Sequence, residues 1–414
     1  MRSEHLSDGI MRHSKSNKTV LQKPKIRKKA AFRIAGLLSS VCHALGSGGT
    51  SLPGLAAGWI YPDLLPELAE EIPVMLVTGT NGKTTTVHMT AEMLKYLQVP
   101  HICTRFGGNV PSSILTTFLG AYRFRREKPS AGIAVIECDE KFFPEILKKL
   151  KPFCVTITNI SKDQTDRLGQ PEDVAVMFSE ALKEYDGKIC IDASDPYAGQ
   201  AVSGTDPEKI IRFDCKGNEI SVNRDHYHVE LNIPGKYNVK NAAAAVASLC
   251  AAGFSAEEGI PALAAIQPLF ARMETFCIGT TTVHMNLSKN AEGVKEYLNY
   301  INEETNGPVC AVFGFNDLPE DGRDMSWLGD VPWDTYRHCF SKVIVYVDCC
   351  DAAEKYLLRA GLEPVTVYSA DRLIKEITEC DVPVCLVFNY TCMMRFRKKL
   401  AKKKYVQAFW KGHA

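Results

Sequence analysis

The sequence predicts an α/β fold: a doubly wound, mostly parallel sheet carrying a phosphate-binding loop, joined to a second α/β unit. From Val74 the chain alternates short β-rich runs with helical patterns, as parallel sheets covered by helices on both faces do. After a change of character near Phe270 a second alternation of the same kind begins. Residues 74–86 read Val-Met-Leu-Val-Thr-Gly-Thr-Asn-Gly-Lys-Thr-Thr-Thr, an apolar run that ends in a glycine-rich turn and opens a helix.

The first thirty residues are polar, basic and aperiodic, the composition of a disordered arm over 1–29. A helix-like segment follows from Ala30 to Leu45, and Gly46 to Gly54 reads as a turn-rich loop. Strands are expected at 74–78, 133–137 and 153–158, with helices at 83–97, 142–150 and 171–185. The helix after the glycine-rich turn shows a core stripe at Val87, Ala91, Leu94 and Leu97. Residues 210–233 read as short antiparallel strands, because Tyr227, Val229 and Leu231 alternate. His226 and His228 fall out of phase with that set, as surface strand residues do. An Ala-rich helix is expected over 238–252. Strands at 309–314, 343–347, 364–368 and 383–388 make the second unit, so the expected division is 1–29, 30–270 and 271–414.

At 414 residues the chain can hold two or three cores, and 45% hydrophobic with 23% charged residues suits a globular protein in water. None of the fifteen cysteines forms a Cys-x-x-Cys pair, so no structural zinc is expected. Cys103, Cys138, Cys154, Cys190, Cys310 and Cys385 lie in or beside apolar runs and read as small core side chains. No secretory signal is evident and no apolar run reaches membrane-spanning length, which makes a reduced cytoplasm the expected compartment. The net charge of +1 hides an asymmetry: residues 1–29 carry nine Lys/Arg against Glu4 and Asp8, and 393–414 carry eight and no acid. Such ends could lie on anionic lipid headgroups or a phosphorylated substrate, and Phe396, Leu400, Phe409 and Trp410 could dip into a membrane interface. The plainer alternative is a solvated arm and a final helix packed on the body.

A strand, turn and helix in this order aim backbone N–H groups and the positive end of a helix dipole at one point, where a triphosphate fits. The loop residues are Gly79, Thr80, Asn81, Gly82, Lys83, Thr84 and Thr85. Lys83 would reach the β/γ-phosphates and the Thr84 hydroxyl would hold Mg²⁺. The spacing departs from the common loop of this kind, since Val77 stands five residues before Gly82 and Gly79 sits closer in. Glu137 ends an apolar run at a strand's carboxyl end, where a carboxylate can hold Mg²⁺ against phosphates. Thr158-Asn159 ends the next strand, with Asp163-Gln-Thr-Asp-Arg167 in the loop behind it. Pro234-Gly-Lys-Tyr-Asn-Val-Lys-Asn241 supplies Asn238 and Asn241, two amides that could meet an adenine edge. Arg272 falls at the expected boundary, where a closing domain could bring its guanidinium onto phosphate. Each feature has a bland reading, such as a surface acid or a helix-packing amide, and their order together is what is specific.

In that order the motifs resemble the Mur ligase superfamily, and within it the MurT subunits of lipid II isoglutaminyl synthases. Gly-Gly-Thr-Ser-Leu-Pro-Gly at 48–54, Thr-Asn-Ile-Ser-Lys-Asp-Gln-Thr-Asp-Arg at 158–167 and Asn316-Asp-Leu-Pro-Glu-Asp-Gly-Arg-Asp-Met-Ser-Trp327 carry the likeness, with Lys289-Asn290 beside them. Two features depart from the pattern. The four-cysteine zinc ribbon common in MurT proteins has only Cys215 in the matching stretch, so no zinc is expected. Trp327-Leu-Gly-Asp-Val-Pro-Trp333 is a loose version of the motif's usual ending. Gln164, in the 158–167 passage, belongs to the likeness to MurT rather than to these departures: it stands where other Mur ligases usually place a metal-binding His.

The resemblance implies a Mur-ligase-type ATPase domain followed by a Rossmann-like C-terminal domain. It also implies an ATP- and Mg²⁺-dependent carbon–nitrogen ligase that turns the D-glutamate α-carboxylate of the lipid II stem peptide into an acyl phosphate. Ammonia would come from a GatD-like glutamine amidotransferase in a heterodimer, and no nucleic-acid partner is expected. Lys83, Mg²⁺ held by Thr84 and Glu137, and Arg272 would neutralise charge. An Asp of the C-terminal domain, Asp324 or Asp330, would orient the partner's catalytic His. The alternative for both is a loop acid capping local N–H groups, and the Gly, Asp and Trp residues around them favour an interface.

Two rivals differ in class. A Mur-type ligase without an amidotransferase would often use a carbamylated Lys after the Thr-Asn motif, and the only residue to weigh, Lys183, lies in an ordinary amphipathic helix. A nucleotide-binding scaffold without catalysis would have no need to keep Lys83, Thr84, Thr85, Glu137 and Arg272 together.

Overall fold

Two strand-rich layers organise the chain in a computed structural model that describes residues 25–42, 44, 51–104, 107–122, 129–162, 168–268, 272–305 and 307–407. The first sheet contains β1 (Val74–Thr78), β2 (His101–Cys103), β3 (Ile133–Glu137), β4 (Cys154–Ile157), β5 (Lys188–Asp192), β6 (Ile210–Lys216), β7 (Glu219–Val222) and β8 (Asp225–His228). Its order is β2-β3-β1-β4-β5-β6-β7-β8, parallel as far as β6 and antiparallel beyond. β1 is buried along its whole length because β3 and β4 flank it and helices cover both faces. From β1 the chain runs to β2 and β3 on one side, then to β4 on the other. The crevice at such a reversal, beyond the carboxyl ends of the strands, is where open α/β sheets bind ligands.

The Lys83–Tyr96 helix is buried well beyond the expected stripe: Thr86, Met89, Thr90 and Met93 are buried along with Val87, Ala91 and Leu94. The second covering is the Lys236–Ala251 helix, where Ala242 to Ala245 and Ala247 let two helices and the sheet approach closely. His226 and His228 are exposed, and His228 Nδ1 lies 2.8 Å from Glu219.

The second sheet contains β9 (Glu274–Ile278), β10 (Thr281–Leu287), β11 (Val309–Gly314), β12 (Phe340–Tyr346), β13 (Val365–Val367) and β14 (Val384–Phe388). Its order is β13-β12-β11-β14-β10-β9, parallel except for the β9–β10 hairpin.

Several expectations need correction. The segment expected to be a turn-rich loop becomes helical at Leu52, because Pro53 in the first turn has its φ already set for a helix. The Gly46–Thr50 part lies outside the described residues, as do 1–24, Asp163–Arg167, Phe270, Phe409 and Trp410. Residues 25–29, expected to belong to a disordered arm, are instead the first residues of the helix expected to start at Ala30. Of the two alternatives for the basic C-terminal stretch, the plainer one holds for its described part: Phe396 and Leu400 are fully buried on the inner face of the Tyr390–Lys402 helix, which packs on the body. Trp333 is core rather than interface, buried edge-on against Phe313 with its indole N–H donated to the Leu328 carbonyl. No helix among the described residues is long and apolar enough to cross a membrane.

Candidate functional site

The loop after β1 lies between the ends of β3 and β4, and β4 pins it. The Thr80 N–H donates to the Asn159 carbonyl (2.8 Å), and the Asn81 N–H donates to Asn159 Oδ1 (3.1 Å). Thr158 Oγ1 and Asn159 Nδ2 both donate to the Asn81 carbonyl, at 2.7 and 3.0 Å. Two of the N–H groups expected to face a phosphate are therefore spent on holding the loop's shape. Those of Lys83, Thr84 and Thr85 begin the helix, where no intrahelical acceptor exists.

Two glycines are structurally required. Gly79 has φ +119°, and a Cβ there would meet Thr158 Oγ1 at 2.5 Å and the Asn159 carbonyl oxygen at 2.6 Å. Gly82 has φ +83°, and a Cβ there would meet Asn241 Oδ1 at 2.1 Å. Asn241 thus packs directly on the loop.

Lys83 is buried beneath the loop. Its ammonium donates to the Gly79 carbonyl, to the Thr80 carbonyl (3.2 Å) and to Glu140 Oε2 (3.0 Å). Burial pushes the Glu140 carboxyl up, but Lys83 and Lys289 outweigh it and hold the group below the usual carboxylate range. Glu137 is the opposite case. Burial drives its carboxyl above that range despite Lys83, Thr84, Arg272 and Lys289, and its Oε2 has no hydrogen-bond partner. Glu140 Oε1 has none either, but that carboxylate is paired with Lys83 through Oε2. A buried carboxylate oxygen left unpaired beside a threonine hydroxyl and three cations is a vacant acceptor that fits a divalent cation bound with a phosphate chain. Thr84 and Glu137 are the two residues that would hold it.

The cleft above the loop measures about 660 Å³ and lies between the two sheets. Asn81, Gly82, Thr84, Thr85, Asn159 and Asn241 line one wall. The other wall carries Arg272 and the segment Asn286–Lys289, with Glu292 and Glu296 behind. The Arg272 guanidinium donates to the Leu287 carbonyl (3.3 Å). Asn290 begins the Ala291–Glu304 helix as its N-cap, accepting from the Gly293 N–H at 2.8 Å, and its Nδ2 donates to Asn81 Oδ1 at 3.1 Å. The phosphate loop and the second sheet are thus tied through two asparagines.

The remaining expected residues are distributed unevenly. Asn238 is buried off the cleft, its amide donating to the Pro234 carbonyl and its Oδ1 accepting from Asn241. Asp324 caps the Ser326 N–H at 2.8 Å, which holds its carboxyl below the ordinary range. Asp330 instead meets Lys162 at 2.7 Å, an ion pair from the second unit to the rim of the cleft. Lys183 is exposed at the end of the Pro171–Leu182 helix and pairs with Glu180.

Sequence reasoning missed Glu140 and the Asp192–Lys240 pair. Asp192 is buried, lines the cleft and meets Lys240 at 2.7 Å. It ends the run Lys-Ile-Cys-Ile-Asp at a strand's carboxyl end, the same signal that singled out Glu137. Lys240 lies inside the motif that supplied Asn238 and Asn241.

Comparison with known proteins adds two domain matches. Residues 77–249 match the Mur ligase middle domain, and residues 287–393 match the MurT ligase C-terminal domain. Similar curated proteins include the MurT subunit of lipid II isoglutaminyl synthase from Staphylococcus aureus, 25% identical over 83% of this chain and 89% of that protein. The Streptococcus pneumoniae subunit of the same name is 25% identical over 89% of this chain and 95% of its own length. Among solved structures, MurF from Acinetobacter baumannii superposes with a TM-score of 0.66 at 19% identity, covering 84% of this chain and 81% of that one. Folylpolyglutamate synthase from Mycobacterium tuberculosis, solved with ADP and AMPPCP, gives 0.61 at 16% identity over 81% and 92%. At these identities the structural likeness speaks for the fold.

Proposed function

Since the chain belongs to the Mur ligase family and joins a Mur middle domain to a MurT-type C-terminal domain, we propose that it is the synthetase subunit of a glutamine-dependent amide synthase. Its acceptor is the D-glutamate α-carboxylate of the lipid II stem peptide, and its product is D-isoglutamine. The observation that carries this reading is a phosphate loop facing a MurT-type domain across one cleft. We take residues 30–270 as the ATP-binding domain and 271–414 as the MurT-type domain.

The difficulty of the reaction is that two anions must meet. A carboxylate oxygen attacks the γ-phosphorus of ATP, ADP leaves, and the acyl phosphate formed is then attacked by ammonia with release of phosphate. Lys83 leaves its place beneath the loop to meet the β/γ-phosphates, and Arg272 approaches from the facing wall. The first-turn N–H groups of Lys83, Thr84 and Thr85 cradle the phosphates. Asn241 holds Gly82, and Asn159 holds Asn81, so the cradle does not reorganise. Thr84 and Glu137 would hold Mg²⁺, which would supply neutralising charge to the phosphate chain.

Ammonia comes from a GatD-like amidotransferase in a heterodimer. Asp330 is the better placed of the two acids to orient a partner histidine, because Asp324 is committed to capping its own turn. A lipid-linked acceptor would put this work at the inner face of the cytoplasmic membrane, where the basic arm suits a peripheral contact.

The test is co-expression with the candidate amidotransferase, followed by mass spectrometry of lipid II incubated with ATP, Mg²⁺ and glutamine. The expected result is the mass change for exchanging a hydroxyl for an amino group on each stem peptide, abolished by Lys83→Ala. ATP hydrolysis with no such change would move the search to another carboxylate.

A further inference from the structure

The helix over 25–42 has two apolar faces, and only one of them is covered. Ala31 and Ala35 are buried in the first unit's core, and Cys42 is buried as well. Ile26, Ile34, Leu37 and Val41 are 65%, 42%, 64% and 44% exposed, and their spacing gathers them within roughly a quarter-turn of one another. Exposed Arg27 borders this stripe on one side, and exposed Lys29 and Arg33 border it on the other. The Leu52–Ile60 helix repeats the pattern: Ala57 is fully buried in the same core, while Leu52, Leu55 and Trp59 share the outer face at 47%, 49% and 85% exposure.

A globular surface rarely leaves so many large apolar side chains together without use. The local charge identifies the occupant. Over 25–42 the helix carries Lys25, Arg27, Lys28, Lys29 and Arg33 and no Asp or Glu, with Lys28 paired to Glu67. Protein interfaces deplete lysine around their apolar centres, whereas helices that lie in a lipid surface carry an apolar stripe fringed by cations. We propose that the outer faces of these two helices form a docking surface for an anionic lipid bilayer, with Leu37 and Trp59 entering the headgroup region. The inference deepens the peripheral contact named above by locating it, and it does not rest on the amidation chemistry.

Full-length protein is co-sedimented with vesicles of phosphatidylcholine alone and of phosphatidylcholine with phosphatidylglycerol in equal parts, over a range of salt. Binding should require phosphatidylglycerol and weaken as salt rises. Ile34→Ser/Leu37→Ser and Arg27→Gln/Lys29→Gln/Arg33→Gln should each bind at least about tenfold more weakly, with unchanged thermal midpoints because every altered side chain is exposed. Brominated lipid should quench an emission component that Trp59→Phe removes. Wild-type binding that both variants share unchanged would overturn the proposal while leaving peripheral contact intact elsewhere. No binding by the wild type would overturn both. Loss of the amidotransferase subunit from the Ile34→Ser/Leu37→Ser protein, with vesicle binding unaltered, would make this face a protein interface instead. Failure to amidate lipid II with vesicle binding preserved would count against the catalytic reading alone.

Discussion

The wall of the cleft built from the first sheet holds its groups in place through internal bonds, whereas the facing wall offers cations that reach the loop through few contacts. On the first side, Asn159 and Thr158 fix Asn81, Asn241 fills the space beside Gly82, and Lys83 is neutralised by Glu140. On the second side, Asn290 touches Asn81 and Asp330 touches Lys162. A ligand that carries negative charge finds its cradle preformed on one side and must draw in Arg272 and Lys289 from the other. On the proposed function, the first wall would govern whether chemistry occurs, and the second how readily the cleft closes.

The largest effect should follow from Lys83→Ala, which removes the cation beneath the loop. ATP turnover should fall by about 10²–10³-fold in kcat, measured as acceptor-dependent ADP release. A loss confined to KM would mean that Lys83 only binds nucleotide.

Next comes a contrast between two buried carboxyls of the first wall. Glu140→Gln strands the Lys83 ammonium in the interior and should cost about 3–5 kcal/mol in denaturant unfolding. Glu137→Gln removes a buried carboxylate with an unpaired oxygen and should raise the thermal midpoint of the ligand-free protein at neutral pH while ending ATP turnover. If both variants destabilised alike, the assignment of one as a partner and the other as a vacant acceptor would fail.

The same pair separates with pH. Glu140 is held below its ordinary value, so it stabilises the fold above the unfolded carboxylate range, and that contribution is lost as pH falls through its folded pKa. Glu137 is pushed above its ordinary value, so its contribution is present at acid pH and is lost as pH rises through the raised pKa. Both Gln variants should therefore converge on the wild type at acid pH and depart from it as pH rises, in opposite directions: Glu140→Gln less stable than the wild type, Glu137→Gln more stable.

Smaller effects belong to the second wall. Asn290→Ala should cost about 1 kcal/mol by removing a helix cap, and should raise the KM for ATP more than it lowers kcat. Asn290→Ser keeps a capping oxygen but loses the reach to Asn81, so stability should recover and KM should not. Lys162→Ala should change stability by about 0–1 kcal/mol, because both partners of its ion pair are exposed.

The first wall was also the more legible in sequence. Val74–Thr78 and Ile133–Glu137 could be located because continuous apolar runs bounded by turns leave little choice of structure. Gly79, Gly82 and Lys83 were readable because a phosphate loop needs those residue types in that order. Glu140 was not: its role depends on the Glu140–Phe142 turn that directs it back under the loop, and local pattern does not encode that direction. Asn159 and Asn241 were expected to meet nucleotide, yet Asn159 bonds to the loop and Asn241 packs against Gly82, a distinction that only three-dimensional proximity reveals. Trp333 misled for the same reason, since burial under a second layer cannot be told from interfacial exposure in a short apolar pattern.

The most direct test of the account is oxygen transfer. Lipid II whose D-glutamate α-carboxylate carries a heavy-oxygen label is incubated with the chain, its amidotransferase partner, ATP, Mg²⁺ and glutamine, and the released phosphate is analysed by mass spectrometry. Activation as an acyl phosphate predicts that one label per amide formed appears in phosphate, and that none appears with Lys83→Ala. Amide formation with unlabelled phosphate would contradict direct phosphorylation of the carboxylate in this cleft.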